Sequence, residues 1–300
     1  MIWIPIILLL ALALGVLLLP SGLAIYLTSP WRPSVLSRER NFPRNPGEIG
    51  LAYRTLRIPT KDGLTLTAWF IPPESARSPV VLCLHGLYDT KRSLLPLASS
   101  LHEAGFGVML PDLRAHGESG GRFLTYGYYE KNDVIAILST LCAQPEADSA
   151  RLGLFGLSLG GAVGLQAAAQ DPRIKALVVE SPYSDLREIF GDRLRSLGFP
   201  QGLAKYLVSL SLPIAERRAL FKAEEVRPLD SVRSLNRPIL FIHGGKDFYI
   251  PIRHTQSLFE AAPGPKELWV VSGSQHAKCQ RVAGKAYGEK IVAFFLQHRQ

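Results

Sequence analysis

The chain is poor in cysteine, and its first 28 residues hold no charged side chain. The three cysteines, Cys83, Cys142 and Cys279, form no CxxC spacing, and their number is odd. A disulfide framework and a zinc site are therefore not expected, and reduced, buried thiols are. Glycine (26) and proline (22) follow no period, which excludes collagen-like and low-complexity chains. Basic residues outnumber acidic ones by 34 to 25, yet no Lys/Arg block occurs, so the charge of +9 predicts a solvated surface and no nucleic-acid partner. What is present is apolar: 47% hydrophobic against 20% charged residues supports a large core and excludes wholesale disorder.

Residues 1–28 read as a transmembrane anchor. The run from Ile2 to Leu27 exceeds the roughly 20 helical residues that a bilayer core needs. Trp3 and Tyr26 stand near its ends, where aromatic side chains favour the interface, and Pro20, Ser21 and Gly22 are positions for a kink or an early end. A cleaved signal peptide is the rival, but no Lys or Arg precedes the run. Arg32, Arg38, Arg40 and Arg44 follow it instead, which predicts a catalytic body on the cytoplasmic side. Residues 29–50 read as a linker, broken by Pro30, Pro33, Pro43, Pro46 and Gly47.

From residue 51 strands and helices alternate. β-like runs cover Ala52–Ile58 and Thr65–Ile71, with Asp62-Gly63 between them as a hairpin turn. Pro79–Leu84, Phe106–Leu110, Leu152–Phe155, Ala176–Glu180, Ile239–Ile242 and Lys266–Val271 read as further strands, several as continuous apolar runs that suit burial on both faces. Helical spacing occupies Glu130–Leu141, Leu159–Gln170 and Val282–His298. This alternation implies an α/β fold with a mostly parallel sheet between helical layers. One stretch, about 186–237, is too long for a crossover and reads as a helical cap over the C-terminal edge of the sheet.

Two Gly-x-Ser-x-Gly matches occur, Gly156-Leu157-Ser158-Leu159-Gly160 and Gly117-Glu118-Ser119-Gly120-Gly121. The pattern alone is weak, and context separates them. Ser158 lies between a strand and a helix, the setting of a nucleophile elbow, whereas Ser119 has neither element. A Cβ at 156 or 160 would collide with the neighbouring strand or helix, and Ser158 would stand at a helix N-terminus that favours a developing anion.

A serine hydroxyl needs a base. His276 follows the last strand and would reach the sheet edge that carries Ser158. His85 and His116 read as loop braces and His243 as packing, while His102, His254 and His298 read as surface residues. Asp247 follows the strand Ile239–Ile242 and is the candidate acid, with Asp185 as the alternative and Glu180 and Asp112 as structural carboxylates. The order Ser158, Asp247, His276 is one in which such triads occur. The backbone N–H groups of Leu87 and Leu159 are candidate oxyanion donors.

With His85-Gly86 ahead of them, these residues resemble the α/β-hydrolase superfamily over about 250 residues, from 51 to 300. Asp112-x-Arg114-x-His116-Gly117-x-Ser119 and His243-Gly-x-x-Asp247-x-x-x-Pro251 look like motifs of its serine aminopeptidase-like and Bem46-like branches, which include membrane-anchored esterases, lipases and depalmitoylases. Ala115 stands where relatives often have glycine. The resemblance implies an eight-stranded sheet, a Ser-His-Asp triad and a cap. The expected reaction is acyl transfer to water from an ester or thioester of an acyl or lipid-like substrate, with no metal or organic cofactor. A peptidase of the same fold releasing N-terminal residues is the alternative, for which Glu216, Glu224 and Glu225 are available to hold an amine. A non-catalytic membrane interaction protein is the third reading. The cap holds ten basic and six acidic residues between 187 and 237, and Phe190, Phe199 and Tyr206 either line an acyl site or bury the cap.

Overall fold

The computed structural model describes residues 3–30 and 42–298. Helix α1 (Trp3–Thr28) opens the chain, and its side chains are described at Ile4, Ile7, Gly15 and from Leu18 onward. Among the described residues no helix is long and apolar enough to cross a membrane; of the transmembrane run predicted for 1–28, residues 1–2 and most side chains up to residue 17 lie outside them, as do linker residues 31–41. Of the kink or early end open at Pro20–Gly22, the early end does not occur: the helix continues to Thr28 and carries Pro20 within it. Its last turns dock on the body. Tyr126 donates its hydroxyl to the Leu27 carbonyl (2.6 Å), Leu124 N–H donates to the Thr28 carbonyl (3.0 Å), and Arg218 Nε donates to Thr28 Oγ1 (3.0 Å). The linker also ends in structure, as one 3₁₀ turn at Pro46–Ile49 capped by Asn45.

Eight strands then build one sheet: β1 (Arg54–Pro59), β2 (Thr65–Ile71), β3 (Ser78–Leu84), β4 (Gly107–Pro111), β5 (Ala147–Leu157), β6 (Ile174–Glu180), β7 (Ile239–Gly244) and β8 (Lys266–Val271). Their order is β1-β2-β4-β3-β5-β6-β7-β8. The two pairings made by β2 are antiparallel and the rest parallel. Asp62-Gly63 turns β1 into β2, with Gly63 at φ +83°.

Period-two alternation divides the core. Val80, Leu82 and Leu84 of β3 face one apolar layer, and Val81 and Cys83 face the other. The first layer is closed by α3 (Glu130–Cys142) and α4 (Leu159–Gln170); the second by α2 (Leu95–Glu103) and the C-terminal helices. Both sides being buried explains why these strands read as continuous apolar runs.

The excursion after β6 is helical as expected: α5 (Leu186–Ser196), α6 (Gln201–Ala219), a 3₁₀ turn at Ala223–Glu225 and α7 (Pro228–Val232). Helix α8 (Arg253–Ala261) follows β7. The single closing helix expected over Val282–His298 is two, α9 (Cys279–Ala283) and α10 (Lys285–Gln297), broken at Gly284, whose φ of +58° no right-handed helix continues. His254, expected at the surface, is buried. Its Nε2 lies 2.9 Å from Asp192 Oδ2 and its Nδ1 2.7 Å from Ser184 Oγ. Asp192 also receives Arg195 and Arg253, so this cluster clasps α5 to α8 and the β6 loop. Burial pushes the Asp192 carboxyl up, but the His254 bond and the arginines outweigh it and hold it at about 2. His102 and His298 are half-buried rather than exposed. Cys83 and Cys279 are buried free thiols; Cys142 is free and half-buried.

Candidate active site

Strand β5 runs into α4 through a single tight residue, Ser158, at φ 53° and ψ −111°. A side chain rarely adopts this backbone, and the flanking glycines show what enforces it. A Cβ on Gly160 would stand 2.3 Å from the Leu84 carbonyl oxygen of β3, and one on Gly156 would stand 2.5 Å from the Gly160 carbonyl oxygen. Backbone cannot yield at such distances, so only glycine admits this approach. Ser158 N–H donates to the Glu180 carbonyl (2.7 Å), which fixes the turn against β6.

The loops after β7 and β8 arrive at the same edge. Ser158 Oγ lies 2.9 Å from His276 Nε2, and His276 Nδ1 lies 2.7 Å from Asp247 Oδ2. Positions 118 and 29 residues apart in the sequence thus form one hydrogen-bonded chain. The other Asp247 oxygen accepts from Tyr249 N–H (2.9 Å) and Ile250 N–H (2.8 Å), so the carboxylate cannot rotate freely. Burial pushes the Asp247 carboxyl up, but the His276 hydrogen bond and charge, the Ile250 N–H and His243 outweigh it, and its pKa lies below the ordinary value. His243 braces this loop, with Nδ1 2.8 Å from Thr255 Oγ1 and Nε2 3.2 Å from the Ile250 carbonyl; burial lowers its pKa. The ring of Tyr249 stacks on His276 at 4.7 Å and 22°, and the Arg193 guanidinium of the cap lies 3.4 Å from the centre of Tyr249. Sequence reasoning missed this stack, because no spacing rule joins 193, 249 and 276.

Leu87 and Leu159 flank Ser158 and line the same cavity. Leu159 opens α4, where first-turn N–H groups have no intrahelical partner. The loop carrying Leu87 is held from behind. Leu113 N–H donates to His85 Nε2 (2.9 Å), and Tyr88 N–H donates to His116 Nε2 (3.3 Å). Their Nδ1 atoms lie 2.8 Å from the Gly86 carbonyl and 2.9 Å from the Arg114 carbonyl. Both rings accept at Nε2 and must therefore be neutral. Burial lowers both, His116 to about 4.

The residues set aside as structural behave so. Ser119 Oγ donates to the Asp112 carbonyl (2.6 Å) and accepts from Thr67 N–H (2.9 Å). Asp112 pairs with the buried Lys91. Glu180 accepts from the Tyr287 hydroxyl (2.5 Å), and burial raises its pKa. Asp185, the alternative acid, instead caps α5 through the N–H groups of Arg187 and Glu188 and pairs with Arg227. Ala115 sits at φ 60°, in the left-handed region that favours glycine.

An apolar cavity of about 80 Å³ opens beside Ser158. The sheet edge contributes Leu87, Leu159 and Ile250, the cap contributes Ile189, Phe190, Leu194 and Val208, and α1 contributes Leu23 and Leu27. Of the three cap aromatics, Phe190 lines the cavity, Phe199 packs against the core, and Tyr206 is 51% exposed and does neither. Glu216 accepts from Ala223 N–H, and neither it nor Glu224 or Glu225 lines the cavity. Among the described residues no group of His, Cys, Asp or Glu is arranged to hold a metal ion.

Comparison with known proteins places this architecture. The chain is 29% identical to the uncharacterized protein Rv2307c of Mycobacterium tuberculosis, over 94% of this chain and 93% of that one. It is 25% identical to the alpha/beta hydrolase domain-containing protein WAV2 of Arabidopsis thaliana, over 87% and 84%. Among solved structures it is similar to an esterase of Pyrococcus furiosus, with a TM-score of 0.69 and 25% identity, covering 86% of this chain and 95% of that one. The profile of the prolyl oligopeptidase family matches residues 96–300, from α2 through the cap to the last helix. That match makes the chain a member of the prolyl oligopeptidase family and a hydrolase of the α/β-hydrolase fold.

Proposed function

We propose that the protein is a serine hydrolase of carboxylic esters or thioesters, working through an acyl-enzyme on Ser158. The observation that carries this reading is the hydrogen-bonded chain Ser158–His276–Asp247 at the wall of an apolar cavity. Ser158 Oγ attacks the acyl carbon while His276 Nε2 takes its proton. Asp247 holds the imidazole with Nδ1–H toward itself and stabilises its positive charge. The carbonyl electrons move onto oxygen, which the N–H groups of Leu87 and Leu159 receive. Collapse expels the alcohol or thiol, protonated by His276. Water, deprotonated in turn by His276, then releases the acid and restores Ser158.

The ester reading is favoured over release of N-terminal residues because none of the carboxylates available to hold an amine, Glu216, Glu224 and Glu225, lines the cavity or the mouth beside Ser158. The structural neighbour named an esterase points the same way. A cavity of about 80 Å³ has room for about five to eight water-sized groups, so acyl chains of about four to eight carbons are the expected optimum. The Bem46-like branch fits a body of this kind carried on an apolar N-terminal helix.

Membrane association belongs to the same proposal. Helix α1 leaves Ile4, Ile7, Leu18 and Leu19 58–62% exposed, apolar surface that a membrane would cover. The basic residues after this helix, Arg32, Arg38, Arg40 and Arg44, favour a catalytic body on the cytoplasmic face. Protease shielding of the body in inside-out vesicles would reverse that orientation.

The catalytic test is hydrolysis of a short p-nitrophenyl ester by the full chain. Ser158→Ala is expected to lower kcat by about 10⁴- to 10⁶-fold. Full activity in that variant would end the proposal.

A further inference from the structure

The two sides of Ser158 differ in chemistry. On one side lies the mostly apolar cavity, with Leu159 in its wall, no carboxylate, and one cation, Arg193, which stands on its border with the other side. On the other, a wide mouth is lined by His276, Gln275, Lys246, Lys278 and Arg193. This division has a direction. His276 returns its proton to the leaving group, so the leaving group must lie on the His276 side and the acyl chain on the other.

The mouth is cationic. Some buried or half-buried cations elsewhere face carboxylates, as Lys91 faces Asp112 and Glu118, Arg114 faces Asp133 and Asp62, and Arg173 faces Asp171, whereas Arg237, Lys131 and Lys266 donate to backbone carbonyls. At the mouth Lys278 Nζ donates to the Gln275 side-chain oxygen (2.8 Å), which is neutral. Arg193 lies over Tyr249 and donates weakly to Ser196 Oγ (3.4 Å). Lys246 is exposed beside them. One carboxylate lines the mouth, Asp89, and its Oδ1 accepts from Thr90 N–H. Three cations against one anion leave a net positive opening on the leaving-group side.

Resting on the ester reading above, we propose that the substrate is an acyl ester whose leaving group carries an anion, a phosphate or a carboxylate, seated against Lys246, Lys278 and Arg193. The acyl chain fills the cavity, and the anion remains at the solvated rim, where its attraction to the lysines is screened but not lost. The stack of Arg193 on Tyr249 on His276 makes the head-group cation and the proton carrier neighbours, so an anion bound there sits within reach of the departing oxygen.

The test compares hexanoyl esters of glycerol 3-phosphate, glycolate, glycerol and choline on the full chain. The kcat/KM of either anionic ester is expected to exceed that of the glycerol ester by about 5- to 30-fold and that of the choline ester by more. The phosphate and carboxylate arms tell which anion is preferred. In Lys246→Glu/Lys278→Glu the anionic-to-neutral ratio is expected to fall to one or below. In the unaltered protein the same ratio is expected to shrink several-fold between 20 mM and 500 mM salt, a readout independent of any fold change in the variant. A ratio near one in the unaltered protein, or one that neither charge reversal nor salt moves, overturns this inference while leaving the ester reading intact. Absence of hydrolysis of all four esters, together with an unlabelled Ser158, would remove the ester reading and this inference with it.

Discussion

The wall of the cavity formed by the sheet edge and the wall formed by the cap and α1 are built on different principles. On the sheet side, position is set by backbone: a positive-φ serine, two glycines with no room for a Cβ, and an aspartate held by two N–H groups. On the cap side, position is set by burial of side chains such as Phe190, Leu194, Val208 and Leu27, joined to the body by a clasp at Asp192. The first kind of wall fixes the reacting atoms through backbone geometry. The second sets shape and length, and it can change by substitution without disturbing the first. A division of labour follows: alterations on the sheet side should act on kcat, and alterations on the cap side on which chain is accepted.

Asp247→Asn breaks the comparison at its strongest point. It preserves shape but removes the charge that holds the His276 tautomer, and a loss of about 10³- to 10⁴-fold in kcat with little change in KM is expected. Steady-state kinetics on a hexanoyl ester measure both. On the other wall, Leu23→Ala/Leu27→Ala enlarges the α1 side of the cavity. The octanoyl-to-butanoyl ratio of kcat/KM should rise by about fourfold for each further methylene admitted, since each buried CH₂ contributes about 0.8 kcal/mol. A collapse of kcat with no change in that ratio would contradict the division.

The smallest effect concerns the brace behind Leu87. His116 has a pKa of about 4 in the folded chain because burial penalises its charge, against about 6.5 unfolded. The unfolded chain therefore binds the extra proton, and the contribution of this group is present above about 6.5 and lost as pH falls toward 4. Glutamine at this position can still accept from Tyr88 N–H but does not titrate. Denaturant melts of His116→Gln between pH 6.5 and 4 should show a dependence on pH shallower by up to about 1.4 kcal/mol per pH unit. An unchanged slope would mean that the ring is already charged in the folded state.

Much of the sheet-side wall was legible in the sequence, because its signals are local. The glycines of 156–160, the Asp62-Gly63 turn and the apolar strands each announce their geometry within a few residues. The order of Ser158, Asp247 and His276 then followed from where loops leave a parallel sheet. The cap-side wall was less legible. That Leu23 and Leu27 close the cavity, that Tyr249 stacks on His276 and that His254 is buried against Asp192 all depend on how distant elements dock. An apolar residue in an anchor-like run and one in a pocket wall look alike in sequence. His254 likewise read as a surface residue because its partners lie 62 and 70 positions away.

The central claim is that Ser158 alone among the serines forms the covalent intermediate, and a fluorophosphonate probe tests it most directly. The buried Ser184, with Oγ 2.7 Å from His254 Nδ1, offers a natural internal control, as it has a histidine and a carboxylate in line but no access to the cavity. Peptide mass spectrometry after labelling should find one adduct, on Ser158, and none in His276→Gln at the same exposure. An adduct on Ser184 or Ser119, or no adduct in the unaltered protein, would contradict the account.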